Sequence, residues 1–150
     1  GVIDRFSGKK VAIRTFDPSS ESDVVLQELT QAADLVVLAG YLRMIPASWT
    51  RAFQGRMLNI HPALLPKFGG KGMYGKHVHQ AVSEAGETET GITIHLVNEH
   101  YDEGAIVAQF AVDVVPGESP LSIEEKVRQL ELEYYGPTIE RWIENLILSQ

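Results

Sequence analysis

Leu35-Val36-Val37-Leu38-Ala39-Gly40 is apolar without alternation, rich in β-branched residues and closed by a glycine. A strand that is apolar on both faces belongs in the middle of a sheet covered by helices, and such sheets are largely parallel. Met57-Leu58-Asn59-Ile60 has the same character and reads as a second buried strand. Between them, Pro46 to Phe53 reads as a short helix. Upstream, Lys10 to Phe16 alternates as a strand, and Asp17-Pro18-Ser19-Ser20 is a turn. Ser20 or Ser22 is placed to cap a helix running through Leu29 and Ala32. Downstream, His61 to Gly75 is a loop rich in Pro and Gly, and His77 to Ala85 a helix. Thr93 to Val97 and Ile106 to Val115 are strands flanking a loop at Asn98 to Gly104. The turn Pro116 to Pro120 leads into an amphipathic helix pair, Ile123 to Leu148, bent at Gly136-Pro137. The alternation of strands and helices predicts an α/β fold: three layers, α/β/α, around a mostly parallel central sheet.

The 150 residues fit one domain, and a 44% hydrophobic content supports a packed core. No apolar run approaches the ~20 residues that span a bilayer. No export signal is read at the N-terminus, so the cytoplasm is the expected compartment. With no cysteine, a disulfide framework or thiolate metal site is excluded. The 13 basic and 20 acidic residues give a net charge of −7, which disfavours nucleic acid as a partner. Lys67, Lys71 and Lys76 cluster among Gly69, Gly70, Gly72 and Gly75, a patch better suited to a small anion.

Asn59 and His61 stand at the C-terminal end of the second buried strand, the edge where open α/β sheets bind ligands. Two apart, they point to the same side of an extended chain. An amide beside an imidazole can grip a carbonyl oxygen that becomes an oxyanion, and Pro62 restricts the backbone of His61. Asp102, in Tyr101-Asp102-Glu103-Gly104, would stabilise a nearby imidazolium. Leu38 to Met44 brings an aromatic ring, a cation and apolar side chains to the same edge, where a flat heterocycle could sit. Each feature also has a plainer reading. Asn-x-His at a strand end can be a turn with local hydrogen bonds, Asp102 a turn former, and Arg43 a solvated charge. His77 and His79 share no helix face, so no metal site is expected of them. His95 reads as a satisfied half-buried residue, His100 as a loop residue, and Trp49 and Trp142 as packing residues. No Gly-x-Ser-x-Gly occurs, and the glycine run Gly70-x-Gly72-x-x-Gly75 lacks the order of strand, tight turn and helix that nucleotide binding needs.

The string MLNIHPALLPKFGGKG (57–72), followed by GITIHLVNEHYDEGAIVAQ (91–109), resembles the formyltransferases that use 10-formyltetrahydrofolate. The resemblance runs from about Val11 to Trp142 and implies a Rossmann-like formyltransferase domain over 1–150. It implies Asn59, His61 and Asp102 as the catalytic trio, with protonated His61 and the Asn59 amide polarising the formyl oxygen. The folate pocket it implies comprises Tyr41, Leu42, Arg43, Met44 and Ile45, faced by Val97, Asn98, Glu99, His100 and Tyr101. Ile60, Pro62 and Glu131 would contact the amino substrate, Glu131 through ribose hydroxyls. The implied acceptor is glycinamide ribonucleotide, in purine synthesis. Both partners are small molecules, no metal takes part, and the protein is a monomer or homodimer.

Two departures from the family pattern stand out. The family's opening strand, glycine-rich turn and helix, which bind substrate phosphate, have no counterpart here, so that segment is expected to be missing. The loop after Pro66 also exceeds the commoner Gly-x-His-x-His form, as in some bacterial members. A hydrolytic relative would use the same trio with water as acceptor. A tRNA-acting relative would carry a basic C-terminal domain.

Overall fold

A computed structural model describes residues 12–148. They fall into two compact units, divided between Asp34 and Leu35. In the first, helix α1 spans Ser22–Ala32. The turn before it is organised by Asp17, whose carboxylate accepts from Ser19 N and Oγ at 2.9 and 2.6 Å. Glu21, not Ser20 or Ser22, occupies the cap position, and its side chain makes no cap bond. It accepts instead from Asp17 N at 2.6 Å. An aspartate that satisfies local amides competes with a serine cap, and here it wins. Of the strand expected at Lys10 to Phe16, the first two residues lie outside the described ones, and Ala12 to Phe16 form no strand. Isolated alternation cannot hold a strand without a ladder partner. Arg14 instead pairs with Glu28 and Glu21.

The second unit runs β1 (Val36–Leu38), α2 (Ala47–Ala52), β2 (Met57–His61), α3 (Lys76–Glu84), β3 (Glu89–Leu96), β4 (Ile106–Asp113) and α4 (Pro120–Leu148). The four strands make one sheet in the order β1-β2-β3-β4. The α/β, Rossmann-like class holds, with a difference in strand direction. β1 and β2 are parallel, as two apolar strands joined through a helix should be, but β1 is half-buried at the edge of the described sheet rather than buried in its middle. β3 joins β2 antiparallel, and β4 joins β3 antiparallel through the loop after Leu96. Among the described residues the sheet is therefore mixed rather than mostly parallel. A connection as short as 97–105 cannot carry the crossover that a parallel pair needs.

The expected helix pair is one helix of 29 residues with Pro137 inside it. Proline removes one ladder bond, a penalty of about 3 kcal/mol. Two apolar stripes hold the helix on either side. Ile123, Val127, Leu130 and Tyr134 pack with Ala63, Val78, Val82 and Ile92. Tyr135, Ile139, Trp142 and Leu146 pack with Leu58 and Ile94. Both stripes step 4-3-4, the spacing of one helix face. The second is offset from the first by one residue at the Gly136-Pro137 position. Phe110 of β4 stacks on Tyr134 at 4.0 Å between ring centres, which seats the helix on the edge strand. Trp49 and Trp142 are both buried, as expected.

Leu58 is fully buried between the sheet and the second stripe. Leu58→Ala is expected to destabilise the protein by about 2–5 kcal/mol. Urea unfolding checks this; a loss below 1 kcal/mol would mean the stripe collapses onto the gap.

Candidate active site

The antiparallel register of β2 and β3 sets Asn59 opposite His95 and His61 opposite Thr93. Directly opposed residues have Cβ atoms about 4.5–5.5 Å apart, so these four polar side chains share one face. Thr93 is fully buried and satisfied. Its hydroxyl donates to Ala63 O at 2.7 Å and accepts from Leu65 N and Gln109 Nε2 at 3.0 and 2.9 Å. Gln109 Nε2 also donates to Leu65 O at 2.9 Å. These bonds staple the turn that follows His61 to β3 and β4.

His61, 3% exposed, has Nε2 2.8 Å from the Phe68 carbonyl and Nδ1 3.5 Å from Asp102 Oδ2. Asp102 sits in the left-handed region, φ 55°, a conformation uncommon for any residue but glycine. Its Oδ2 also accepts from Gly70 N at 2.9 Å. Burial pulls the His61 imidazole below the ordinary histidine range, although Asp102 and the Phe68 carbonyl oppose that shift. Burial thus favours the neutral ring, whereas the resemblance implies a protonated one.

His95, which from sequence reads only as a satisfied half-buried residue, lines the same cavity. Only 2% exposed, it stands between Asn59 and Asp102. Its Nδ1 is 2.9 Å from Leu96 O, and its Nε2 is 3.3 Å from Asn59 Nδ2 and 3.7 Å from Asp102 Oδ1. A carbonyl only accepts, so Nδ1 donates to Leu96 O, which leaves Nε2 to accept from the Asn59 amide. One amide hydrogen of Asn59 is used this way and the other is left for a ligand. Two apart in sequence from Thr93 on a strand next to β2, His95 carried no signal without the register.

The trio opens into a cavity of about 460 Å³. Tyr41 to Ile45 line it on one side and Val97 to Tyr101 on another, while Ile60, Pro62 and Glu131 also face it. The structure thus brings every residue expected at the site to one cavity. Leu42 and Met44 are half-exposed at its mouth and Ile45 is buried. Glu131, on α4, is pushed above the usual carboxylate range by burial, with Arg128 opposing. The neighbouring Tyr135 hydroxyl donates to Leu38 O at 2.6 Å, tying α4 to the end of β1. His79 lines the cavity from α3. Among the described residues no group of three or more His, Asp or Glu is arranged to hold a metal ion. No helix among them is long and apolar enough to cross a membrane.

The family model described as formyl transferase matches residues 4–139. The chain belongs to this family. It is similar to phosphoribosylglycinamide formyltransferases: 49% identical over 119 residues to the chloroplastic protein of Arabidopsis thaliana, covering 79% of this chain and 41% of that one. The Haemophilus influenzae protein is 40% identical over 131 residues, covering 86% of this chain and 59% of that one. The chain thus spans about half the length of these relatives. The crystal structure of the Bacillus halodurans phosphoribosylglycinamide formyltransferase superposes with a TM-score of 0.83 at 32% identity, covering 93% of this chain and 73% of that one. Glycinamide ribonucleotide transformylase 1 of Geobacillus kaustophilus gives 0.80 at 36% identity, covering 91% and 74%.

Gly104 carries the loop back past β3, and a Cβ there would lie 1.6 Å from the Leu96 carbonyl oxygen and 3.5 Å from His95 Nδ1. The obstacle is backbone, so it cannot simply swing aside. Gly104→Ala is expected to lower the melting temperature and loosen the Asp102 loop, with overpacking losses of about 1–3 kcal/mol or more. An unchanged melt would mean that the loop has another route past Leu96.

Proposed function

We propose that this protein transfers the formyl group of 10-formyltetrahydrofolate to the amine of glycinamide ribonucleotide, a step of purine synthesis. The convergence of Asn59, His61 and Asp102 on one cavity carries the reading. The names of its relatives support the choice of acceptor.

The donor's flat ring system fits the wall from Tyr41 to Ile45 and the facing loop from Val97 to Tyr101. Arg43 faces its benzoyl-glutamate end. Ile60, Pro62 and Glu131 serve the acceptor, Glu131 through the ribose hydroxyls. Both substrates are small molecules, and the protein works as a monomer or homodimer.

The chemistry follows from the resting state of the site. As the acceptor nitrogen bonds to the formyl carbon, negative charge grows on the formyl oxygen. Asn59 donates its free amide hydrogen there, in a pocket where a fixed donor acts without reorganisation. His61, neutral at rest, takes the proton that the attacking amine must lose. Asp102 then stabilises the imidazolium across the 3.5 Å gap. When the bond from the formyl carbon to N10 of the donor breaks, His61 returns the proton to that nitrogen. His95 holds the Asn59 amide and so fixes the direction of the oxyanion donor.

Formyl transfer between these two substrates, measured directly, tests the reading; formate release that needs no amine would point to hydrolysis instead. Asn59→Ala is expected to lower kcat by about 10²–10³-fold, and equal kcat in variant and wild type would remove Asn59 from the mechanism. The pH profile gives a second test. His61 must be neutral to accept, and burial lowers its pKa, so the acid limb of kcat/KM should fall below the ordinary histidine value of 6.5. Asp102 raises that pKa, so Asp102→Asn should move the limb further down, besides slowing the reaction. A limb above 6.5, or one moving upward in the variant, contradicts a neutral resting base.

A further inference from the structure

Both ring nitrogens of His61 lie beside acceptor oxygens. Nε2 is 2.8 Å from the Phe68 carbonyl oxygen, whereas Nδ1 is 3.5 Å from Asp102 Oδ2. A neutral imidazole carries a single N–H. The first distance is that of a full hydrogen bond and the second lies beyond one. The proton therefore belongs on Nε2 and the lone pair on Nδ1.

The backbone is contorted to make this contact. Phe68 has φ 55°, in the left-handed region that a bulky side chain rarely enters. Its ring packs against the cluster of Ala63, Val78 and Val82, which holds the peptide in place. Gly69 permits the close approach: a Cβ there would lie 2.5 Å from Leu65 Cδ2 and 3.3 Å from Asp102 Cβ. The next residue, Gly70, donates to the same Asp102 oxygen that faces His61. Local strain kept by surrounding packing is a mark of positions that serve a site.

We propose that the Phe68–Gly69 peptide is a positioning device for the transfer. Its carbonyl holds His61 as the Nε2–H tautomer and makes Nδ1, beside Asp102, the nitrogen that takes the amine proton. The inference rests on His61 acting as the base. Besides this carbonyl, the polar groups that bear on the ring are Asp102 and His95, and His79 lies across from it. Neither histidine replaces the carbonyl at Nε2. A lateral anchor of this kind does the orienting that a carboxylate does in a Ser-His-Asp triad, leaving Asp102 free to meet the proton on the working side.

The ring ¹⁵N resonances of His61 in the wild-type chain, followed upward in pH until the ring is neutral, test the tautomer without any substrate. The expected result is a protonated, slowly exchanging Nε2 and a bare Nδ1; a neutral ring protonated at Nδ1, or freely exchanging between tautomers, overturns the proposal. Gly69→Val pushes the peptide away from Leu65 and Asp102, and Phe68→Ala removes the packing that holds it. Each variant is expected to mix the tautomers and to lower kcat by about 10²-fold, the usual effect of a 1 Å misplacement. The KM values of both substrates should stay nearly constant. Mixed tautomers with wild-type kcat would show that the carbonyl does not position the base. If the wild-type chain transfers no formyl group, the activity reading fails, and the resonances alone then decide the tautomer.

Discussion

The antiparallel register between β2 and β3 is the constraint on which the rest depends. It pairs Asn59 with His95 and His61 with Thr93 on one face, while Leu58, Ile60, Ile94 and Leu96 are placed on the other. A slip of one residue would exchange the two sets. Four polar groups would then meet α4, and the apolar residues would line the site. The apolar face is what prevents the slip, because Leu58 and Ile94 are fully buried against Trp142 and its neighbours. The hydrophobic effect thus fixes the placement of the polar network without touching it.

Within that frame the polar groups are satisfied one against another. Thr93 and Gln109 hold the turn after His61, His95 holds Asn59, and Gly70 holds Asp102. Buried networks of this kind are rigid when complete and costly when a member is left unpaired. The site accordingly has little freedom to drift, which suits chemistry that depends on a donor aimed where charge will develop. Its unusual backbone, Phe68 and Asp102 with positive φ, lies where the loops must bring a carbonyl and a carboxylate to one imidazole.

The long helix α4 links this site to the core. Its first half packs with the α3 cluster and its second with Leu58 and Ile94. Glu131 and Tyr135 lie near the junction of the two stripes, one facing the cavity and the other bonded to the end of β1. A sequence break at Gly136-Pro137 reads locally as a bend, yet the burial of both stripes outweighs one lost ladder bond. Local propensity is overruled there because tertiary packing contributes more than the proline removes.

The apolar strands within 35–40 and 57–61, the loop after His61 and the Asn-His-Asp candidates were legible from the chain alone, although the first strand is half-buried rather than buried. Apolar runs, Pro and Gly positions and polar residues at strand ends are local signals, each with a local physical cause. Strand direction beyond β2, the continuity of α4 and the lack of a strand over Ala12 to Phe16 were not legible, since each depends on partners distant in sequence. His95 shows the limit most clearly. As one polar residue in an apolar strand it is indistinguishable from a satisfied core histidine, and only the pairing of residues 36 positions apart sets it between Asn59 and Asp102. The residue types of the site were thus determined by sequence, whereas the protonation and aim of His61 were decided by tertiary structure. Burial and a carbonyl seven residues away act through space, and neither is written in the order of the side chains.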